Sequence, residues 1–312
     1  MALKIKHLLG LHGVEAADIT EILDTARNFR EILERPIKTV PTLRGKTIVN
    51  LFYESSTRTR ISFELAEKRL SGDIVNFSTS TSSVSKGESL RDTLQNIEAM
   101  KIDMVVVRHK SPGVPLFLTR NSKATIINAG DGQHEHPTQA LLDMMTIREK
   151  LGKLAGLRVA IIGDILHSRV APSNVWGLKT MGASVILCGP STLFPYDTSE
   201  LGVECTTRVE KALDGADVVM LLRLQLERQS SGLLPSLTEY RQRWGVDRDR
   251  LKLCKPNVVI MHPGPINRGI ELSSEVADSK HSVILEQVTN GVAVRMAVLY
   301  LLSGGQTAEG GR

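Results

Sequence analysis

The run Glu54-Ser55-Ser56-Thr57-Arg58-Thr59-Arg60 follows a short apolar stretch, Thr47–Tyr53 (TIVNLFY), and precedes a helix-like one, Ile61–Leu70. A turn between strand and helix presents unpaired backbone N–H groups at the positive end of the helix macrodipole, which makes it a ready anion site. Hydroxyls on Ser56, Thr57 and Thr59 and the guanidinium of Arg58 suit that site to phosphate. The plainer alternative is an N-capped helix carrying solvated arginines. A cap needs one hydroxyl, whereas this segment supplies four hydroxyls and two guanidiniums. Phosphate binding is the reading this surplus favours.

Other polar groups stand at the ends of apolar runs in the same way. Asp103–Val107 (DMVVV) leads into Arg108-His109, and Thr125–Asn128 (TIIN) leads into a turn ending in His136-Pro137-Thr138-Gln139. Proline suits the first turn of a helix, so His136 stands at a helix start with Gln139 one turn on, both toward one crevice. The run His134-Glu135-His136 invites a metal reading. Against it, the HExxH spacing is absent, and adjacent residues on a tight turn cannot all face one ion. For His136 this leaves a hydrogen-bond donor to substrate or a structural histidine. In the second half, Arg169, Arg223 and Gln225 follow apolar runs, and paired guanidiniums suit a dicarboxylate. Ser78–Glu88 (STSTSSVSKGE) has seven Ser/Thr in eleven residues. It is either a surface loop or an arm that brings Lys86 onto a phosphate or carboxylate.

Two other motifs fail. Gly45-Lys46-Thr47 resembles the end of a P-loop, but position 40 is Val and the lysine precedes its strand. The turn after Arg158–Ile162 has the single Gly163 where a dinucleotide fold shows G-x-G-x-x-G, which argues against NAD.

The elements that must position these groups alternate in type. Besides the three first-half strands, Arg158–Ile162, Ser184–Cys188, Asp217–Leu222 and Asn257–Met261 read as buried strands. Helix-length amphipathic stretches lie between them; in Glu15–Leu33, Ala16, Ile19, Ile22, Leu23, Ala26 and Phe29 fall near helical spacing. Short β-branched runs separated by helices indicate βαβ units, hence an α/β fold with parallel sheets flanked by helices. Ligands in such sheets bind beyond the carboxyl ends of the strands, where the polar groups above are found. His136–Leu151 is the expected connector between two domains, and Gly291–Leu302 (GVAVRMAVLYLL) an apolar C-terminal helix.

The 312 residues, 41% of them hydrophobic, can bury two cores. The net charge of +5 is spread without a block of like charges, which argues against a nucleic-acid surface. Cys188, Cys205 and Cys254 form no CxxC pair, so neither a disulfide framework nor a zinc knuckle is indicated. No run reaches 18 apolar residues and Met1–Gly10 lacks a signal-peptide core, so the expectation is a soluble cytoplasmic protein with no membrane partner.

Taken in order, Ser56-Thr57-Arg58-Thr59-Arg60, His136-Pro137-Thr138-Gln139, Gly163-Asp164 with Arg169, Arg223-Leu224-Gln225 with Glu227-Arg228, and His262-Pro263-Gly264-Pro265 resemble the signatures of the aspartate/ornithine carbamoyltransferases, a likeness spanning roughly residues 5–303. The chain is more similar to the aspartate-acting branch. The ornithine branch would show His-Cys-Leu-Pro at His262–Pro265 and Asp-x-x-x-Ser-Met-Gly near residue 225, and neither is present. An ornithine side chain is a cation and needs an acidic or thiol-lined pocket, so charge points the same way.

The resemblance implies two domains, 1–150 binding carbamoyl phosphate and 151–289 binding L-aspartate, with helix 290–304 packing back on the first and the active site in the cleft between them. It implies transfer of the carbamoyl group to the α-amine of L-aspartate, an early step of de novo pyrimidine biosynthesis, with no cofactor and no metal. Ser56, Thr57, Arg58, Thr59, Arg108, His136, Gln139, Gly264 and Pro265 would bind carbamoyl phosphate, with Arg58, Thr59, Arg108 and His136 catalytic. Lys86, Arg169, Arg223 and Gln225 would bind aspartate. It further implies a homotrimer whose shared sites receive Ser83 and Lys86 from the neighbouring chain, joined in some members by a regulatory chain or a dihydroorotase-type partner.

Overall fold

Runs of Val, Ile and Leu alternate with amphipathic helices along the whole chain. The computed structural model, which describes residues 3–78, 89–225 and 232–304, pairs the resulting strands in parallel throughout. One sheet holds β1 (Thr47–Phe52), β2 (Asp73–Ser78), β3 (Met104–His109) and β4 (Thr125–Asp131) in the order β2-β1-β3-β4. The other holds β5 (Arg158–Ile162), β6 (Ser184–Cys188), β7 (Glu204–Thr206), β8 (Val218–Leu221) and β9 (Val259–Met261) in the order β7-β6-β5-β8-β9. The helices are α1 (Ala16–Leu33), α2 (Thr57–Arg69), α3 (Leu90–Ala99), α4 (Val114–Thr119), α5 (Pro137–Leu151), α6 (Val170–Thr180), α7 (Val209–Leu213), α8 (Leu237–Trp244), α9 (Arg248–Leu251), α10 (Ser274–Ala277) and α11 (Ile284–Leu302).

By contacts, the described residues of Met1–Met145 and Thr289–Arg312 form one compact unit, and those of Thr146–Val288 another. The boundaries fall inside α5 and inside α11. The first unit's core gathers Val49, Leu51, Val105, Val107 and Ile126 under Leu94 and Leu118. The second packs Ala160, Ile162, Val219, Leu221 and Ile260 against Tyr240 and Trp244. Central strands are buried on both faces, as expected of a parallel sheet covered by helices.

Strand order fixes where chemistry can occur. In the first sheet the chain steps from β1 out to β2, then returns to the other side of β1 for β3, so the switch point lies between β1 and β3. In the second, β5 to β7 run one way and β8 and β9 the other, which places the switch point between β5 and β8. At a switch point the loops leaving two adjacent strands diverge and open a crevice at the carboxyl edge. Ser56–Thr59 follow β1 and Arg108 closes β3; Arg169 follows β5, and Arg223 with Gln225 follows β8.

Candidate active site

α2 begins at Thr57, four residues before the helical start expected at Ile61, so Ser56 is its N-cap and Thr57, Arg58 and Thr59 are its first turn. Three polar residues carry no apolar periodicity, which hid this turn from a pattern reading. Ser89, Ser236 and Ser273 cap α3, α8 and α10 by accepting the N–H of the third helical residue. Ser56 makes no such bond, and the first turn of α2 contains no acidic residue. Ser56 is thus an N-cap without a cap bond, and the dipole and hydroxyls of this helix start suit an external anion. Thr59 is buried, Ser56 half-buried, and Thr57 and Arg58 are exposed.

Arg108 faces this turn from β3, in register with Phe52 of β1. Its Nη1 donates to the Ala129 carbonyl on β4 at 3.1 Å, and its Nη2 to Glu54 Oε1 at 3.0 Å. The side chain is only 11% exposed, so this charge-assisted pair holds one guanidinium orientation. Glu54, at the head of the phosphate segment, is a residue the motif reading passed over. An acid beside two arginines in sequence was the available signal.

His136 and Gln139 lie at the start of α5, where the His136 carbonyl accepts the N–H of Gln139 at 3.0 Å. The His136 side chain is buried, and Gln139 Nε2 donates to Asp143 Oδ1 at 3.0 Å. His134 and Glu135, the neighbours that a metal reading joins to His136, are engaged elsewhere. Glu135 accepts the N–H groups of Leu11 and His12 at 2.7 and 3.1 Å, and His134 Nδ1 lies 3.1 Å from Asp131 Oδ2, a bond that raises the His134 pKa. Among the described residues no group of three or more His, Cys, Asp or Glu could hold a metal ion.

In the second unit two buried acids stitch the strand-end loops together. Asp164, just after β5, accepts from the His167 N–H at 3.2 Å, from His167 Nδ1 at 2.8 Å and from the Gln225 N–H at 3.3 Å. Gln225 Nε2 returns a bond to the His167 carbonyl at 2.9 Å. Glu271 accepts the N–H of Leu224 at 2.9 Å, the N–H of Asn267 at 2.8 Å and Asn267 Nδ2 at 2.6 Å, while burial raises its carboxyl. Arg223 and Gln225 thus lie on a loop pinned at the adjacent residues Leu224 and Gln225, and Arg169 is buried at the head of α6. Gly163 has φ +139°, and a Cβ there would stand 2.7 Å from the Leu222 carbonyl oxygen. Only glycine lets the loops after β5 and β8 approach so closely, which gives this glycine a packing role. After β9, His262 donates its N–H to Gln287 Oε1 at 3.0 Å and accepts the Gly264 N–H on Nδ1 at 2.7 Å, holding Gly264 half-buried and Pro265 exposed. Ser83, Lys86, Glu227 and Arg228 lie outside the described residues.

Two parallel sheets, each offering arginines beside its switch point, define a class of two-domain α/β proteins suited to anionic ligands. The family model "Aspartate/ornithine carbamoyltransferase, carbamoyl-P binding domain" matches residues 6–149, and "Aspartate/ornithine carbamoyltransferase, Asp/Orn binding domain" matches residues 155–302. This chain belongs to the aspartate/ornithine carbamoyltransferase family. It is 58% identical over 309 residues to the aspartate carbamoyltransferase catalytic subunit of Syntrophotalea carbinolica, covering 99% of each chain. To that of Gemmatimonas aurantiaca it is 61% identical over 301 residues, covering 96% of this chain and 94% of the relative.

Among solved structures, it resembles aspartate transcarbamoylase from Trypanosoma cruzi in complex with carbamoyl phosphate and aspartate, with TM-score 0.86, 32% identity and 96% and 97% coverage. It resembles ornithine carbamoyltransferase from Pyrococcus furiosus with the same TM-score, 0.86, at 30% identity and 98% and 100% coverage. Backbone shape alone therefore does not separate an aspartate enzyme from an ornithine enzyme. The separation rests on side chains.

Proposed function

We propose that this chain transfers the carbamoyl group of carbamoyl phosphate to the α-amine of L-aspartate, giving N-carbamoyl-L-aspartate and phosphate. The observation that carries the choice of amine is the make-up of the second unit's strand-end loops. Arg169, Arg223 and Gln225 offer two guanidiniums and an amide, while the nearby acids Asp164 and Glu271 accept three bonds each from neighbouring protein groups. Such a surface favours two carboxylates over an ornithine ammonium. A substrate panel tests this: carbamoylation of aspartate and not of ornithine is expected, and turnover of ornithine alone would overturn it.

In this reading Ser56, Thr57, Arg58 and Thr59 hold the phosphate, with Arg108 beside them. Thr59, Arg108 and His136 direct donors at the carbamoyl oxygen, where negative charge grows as the amine adds to the carbon. Gln139 and the backbone at Gly264 and Pro265 hold the carbamoyl amide. Arg169, Arg223, Gln225 and Lys86 hold the aspartate carboxylates and orient the neutral amine for attack. The C–O bond to phosphate breaks as the tetrahedral intermediate collapses, and the departing phosphate accepts the amine proton. The acyl phosphate is already activated, so the protein contributes positioning and charge stabilisation without a cofactor.

The same reading makes the reaction an early step of de novo pyrimidine biosynthesis in the cytoplasm. It makes the working enzyme a homotrimer in which Ser83 and Lys86 enter the neighbouring chain's site, with a regulatory chain or a dihydroorotase-type protein as a further partner. Extensive sequence likeness to the catalytic subunits supports this assembly. Native mass measurement of the purified complex tests it.

A further inference from the structure

Arg295 interrupts the apolar sequence of α11, and its side chain is buried, 4% exposed. Its own helix supplies one partner, the Gly291 carbonyl at 2.8 Å. The others lie on α2, the helix whose first turn carries the candidate phosphate residues. Nη1 donates to Ser62 Oγ of α2 at 3.0 Å, and the guanidinium carbon lies 5.1 Å from the ring centroid of Phe63, the next residue on α2. Burial, together with the like charge of Arg108, pushes the guanidinium pKa down to about 10.

Gly291 belongs to the same arrangement. A Cβ there would stand 2.7 Å from Arg295 Nη1 and 3.2 Å from Leu142 Cδ2 of α5. A glycine inside an apolar helix weakens that helix, so its presence has a packing reason. Here it opens the space into which the guanidinium turns back. A buried arginine also costs more than a methionine of similar volume unless its bonds serve a purpose, so packing alone does not account for the charge.

Ser62 is three residues beyond Thr59, about one helical turn. We propose that Arg295 is a positioning residue for carbamoyl phosphate. One guanidinium ties α2, through Ser62 and Phe63, to α11, which packs on α5 where Gly291 meets Leu142, so it sets the first turn of α2 and with it Thr59. This rests on the reading of Ser56–Thr59 as the phosphate site.

The test uses the purified full-length enzyme with Arg295→Met, Arg295→Lys and Ser62→Ala, and Arg58→Ala as the control. It measures KM for each substrate, kcat, the competitive Ki of inorganic phosphate and the melting temperature. Loss of charge-assisted bonds in Arg295→Met should raise carbamoyl phosphate KM and phosphate Ki about tenfold. Aspartate KM at saturating carbamoyl phosphate should stay within about twofold, a split that simple loss of stability would not produce. Arg295→Lys, which keeps the charge, should recover part of the effect, and Ser62→Ala should give a smaller rise in the same two constants. A folded Arg295→Met enzyme with unchanged carbamoyl phosphate KM, beside an Arg58→Ala enzyme in which it rises, would overturn the role of Arg295. Should Arg295→Met fail to fold, unchanged constants in both Arg295→Lys and Ser62→Ala overturn it equally. If Arg58→Ala itself leaves phosphate Ki unchanged, the phosphate-site reading fails first and takes this proposal with it.

Discussion

Glu67 lies on α2 with its side chain fully buried against β1, an unusual place for a carboxylate. Asn50 Nδ2 donates to its Oε2 at 2.9 Å, while Glu67 Oε1 and Asn50 Oδ1 are both buried with no donor among the described residues. A proton on the carboxyl supplies one of these acceptors with a donor and removes a buried charge. Desolvation accordingly pushes the Glu67 pKa up from its usual 4.5 to about 7, against the opposing Asn50 bond. The folded state therefore binds this proton more tightly than the unfolded state. The stability it contributes is fully present below pH 4.5, falls as pH rises toward 7, and is gone above that. At about 1.36 kcal/mol per pH unit, the interval corresponds to roughly 3 kcal/mol as an upper bound. Glu67→Gln keeps the acceptor for Asn50 and cannot ionise. Denaturation at matched chain concentration should therefore show the variant more stable than the parent at pH 8 by up to about 3 kcal/mol, and close to it at pH 5. A stability difference between the two proteins that does not change from pH 5 to pH 8 would refute the reasoning.

Steady-state kinetics should show turnover falling about 10²–10³-fold in Arg108→Ala, because one group serves both phosphate and carbonyl oxygen, with a smaller fall in His136→Ala. Near-full turnover in either variant removes that residue from the catalytic set. Arg223→Ala should raise aspartate KM far more than carbamoyl phosphate KM, and equal effects on both would count against its assignment to aspartate. Asp164→Asn keeps the shape of the tie between the loops after β5 and β8 but weakens its charge-assisted bonds; aspartate KM should rise several-fold, which initial-rate measurements would read. Mixing dissociated Lys86→Ala and Arg58→Ala trimers should restore activity to about one site in three of each mixed trimer if Lys86 acts in the neighbouring site. With mixed trimers confirmed by mass, no recovery would reject the shared site.

What was legible in the sequence, and what was not, follows from how each kind of residue is constrained. β5 and β6 span the same residues as the runs expected for them, because strands buried on both faces need unbroken apolar character. The edge strands β2 and β7 went unseen: with one neighbour each they tolerate Asp73 and Asn76, or Glu204 and Thr206, and lose the pattern. α11 begins at Ile284, ahead of the expected Gly291, because that glycine reads as a helix boundary while its actual constraint is the space taken by Arg295 and Leu142.

The candidate site divides in the same way. Ser56–Thr59, His136, Arg169 and Arg223 stand out because a substrate anion demands donors concentrated at strand ends. Glu54, Asp143, Asp164, Glu271 and Arg295 act on other side chains or on loop backbone, and their partners are set by three-dimensional proximity: Arg108 is 54 positions from Glu54, and Ser62 is 233 from Arg295. No local spacing can encode such a pair. Mutational data should sort along this line. Changes to residues that touch substrate would appear in turnover or in one substrate's KM. Changes to residues that hold them would appear as a KM shift together with a change in stability. The ratio of the two effects would then tell a positioning charge from a purely structural one.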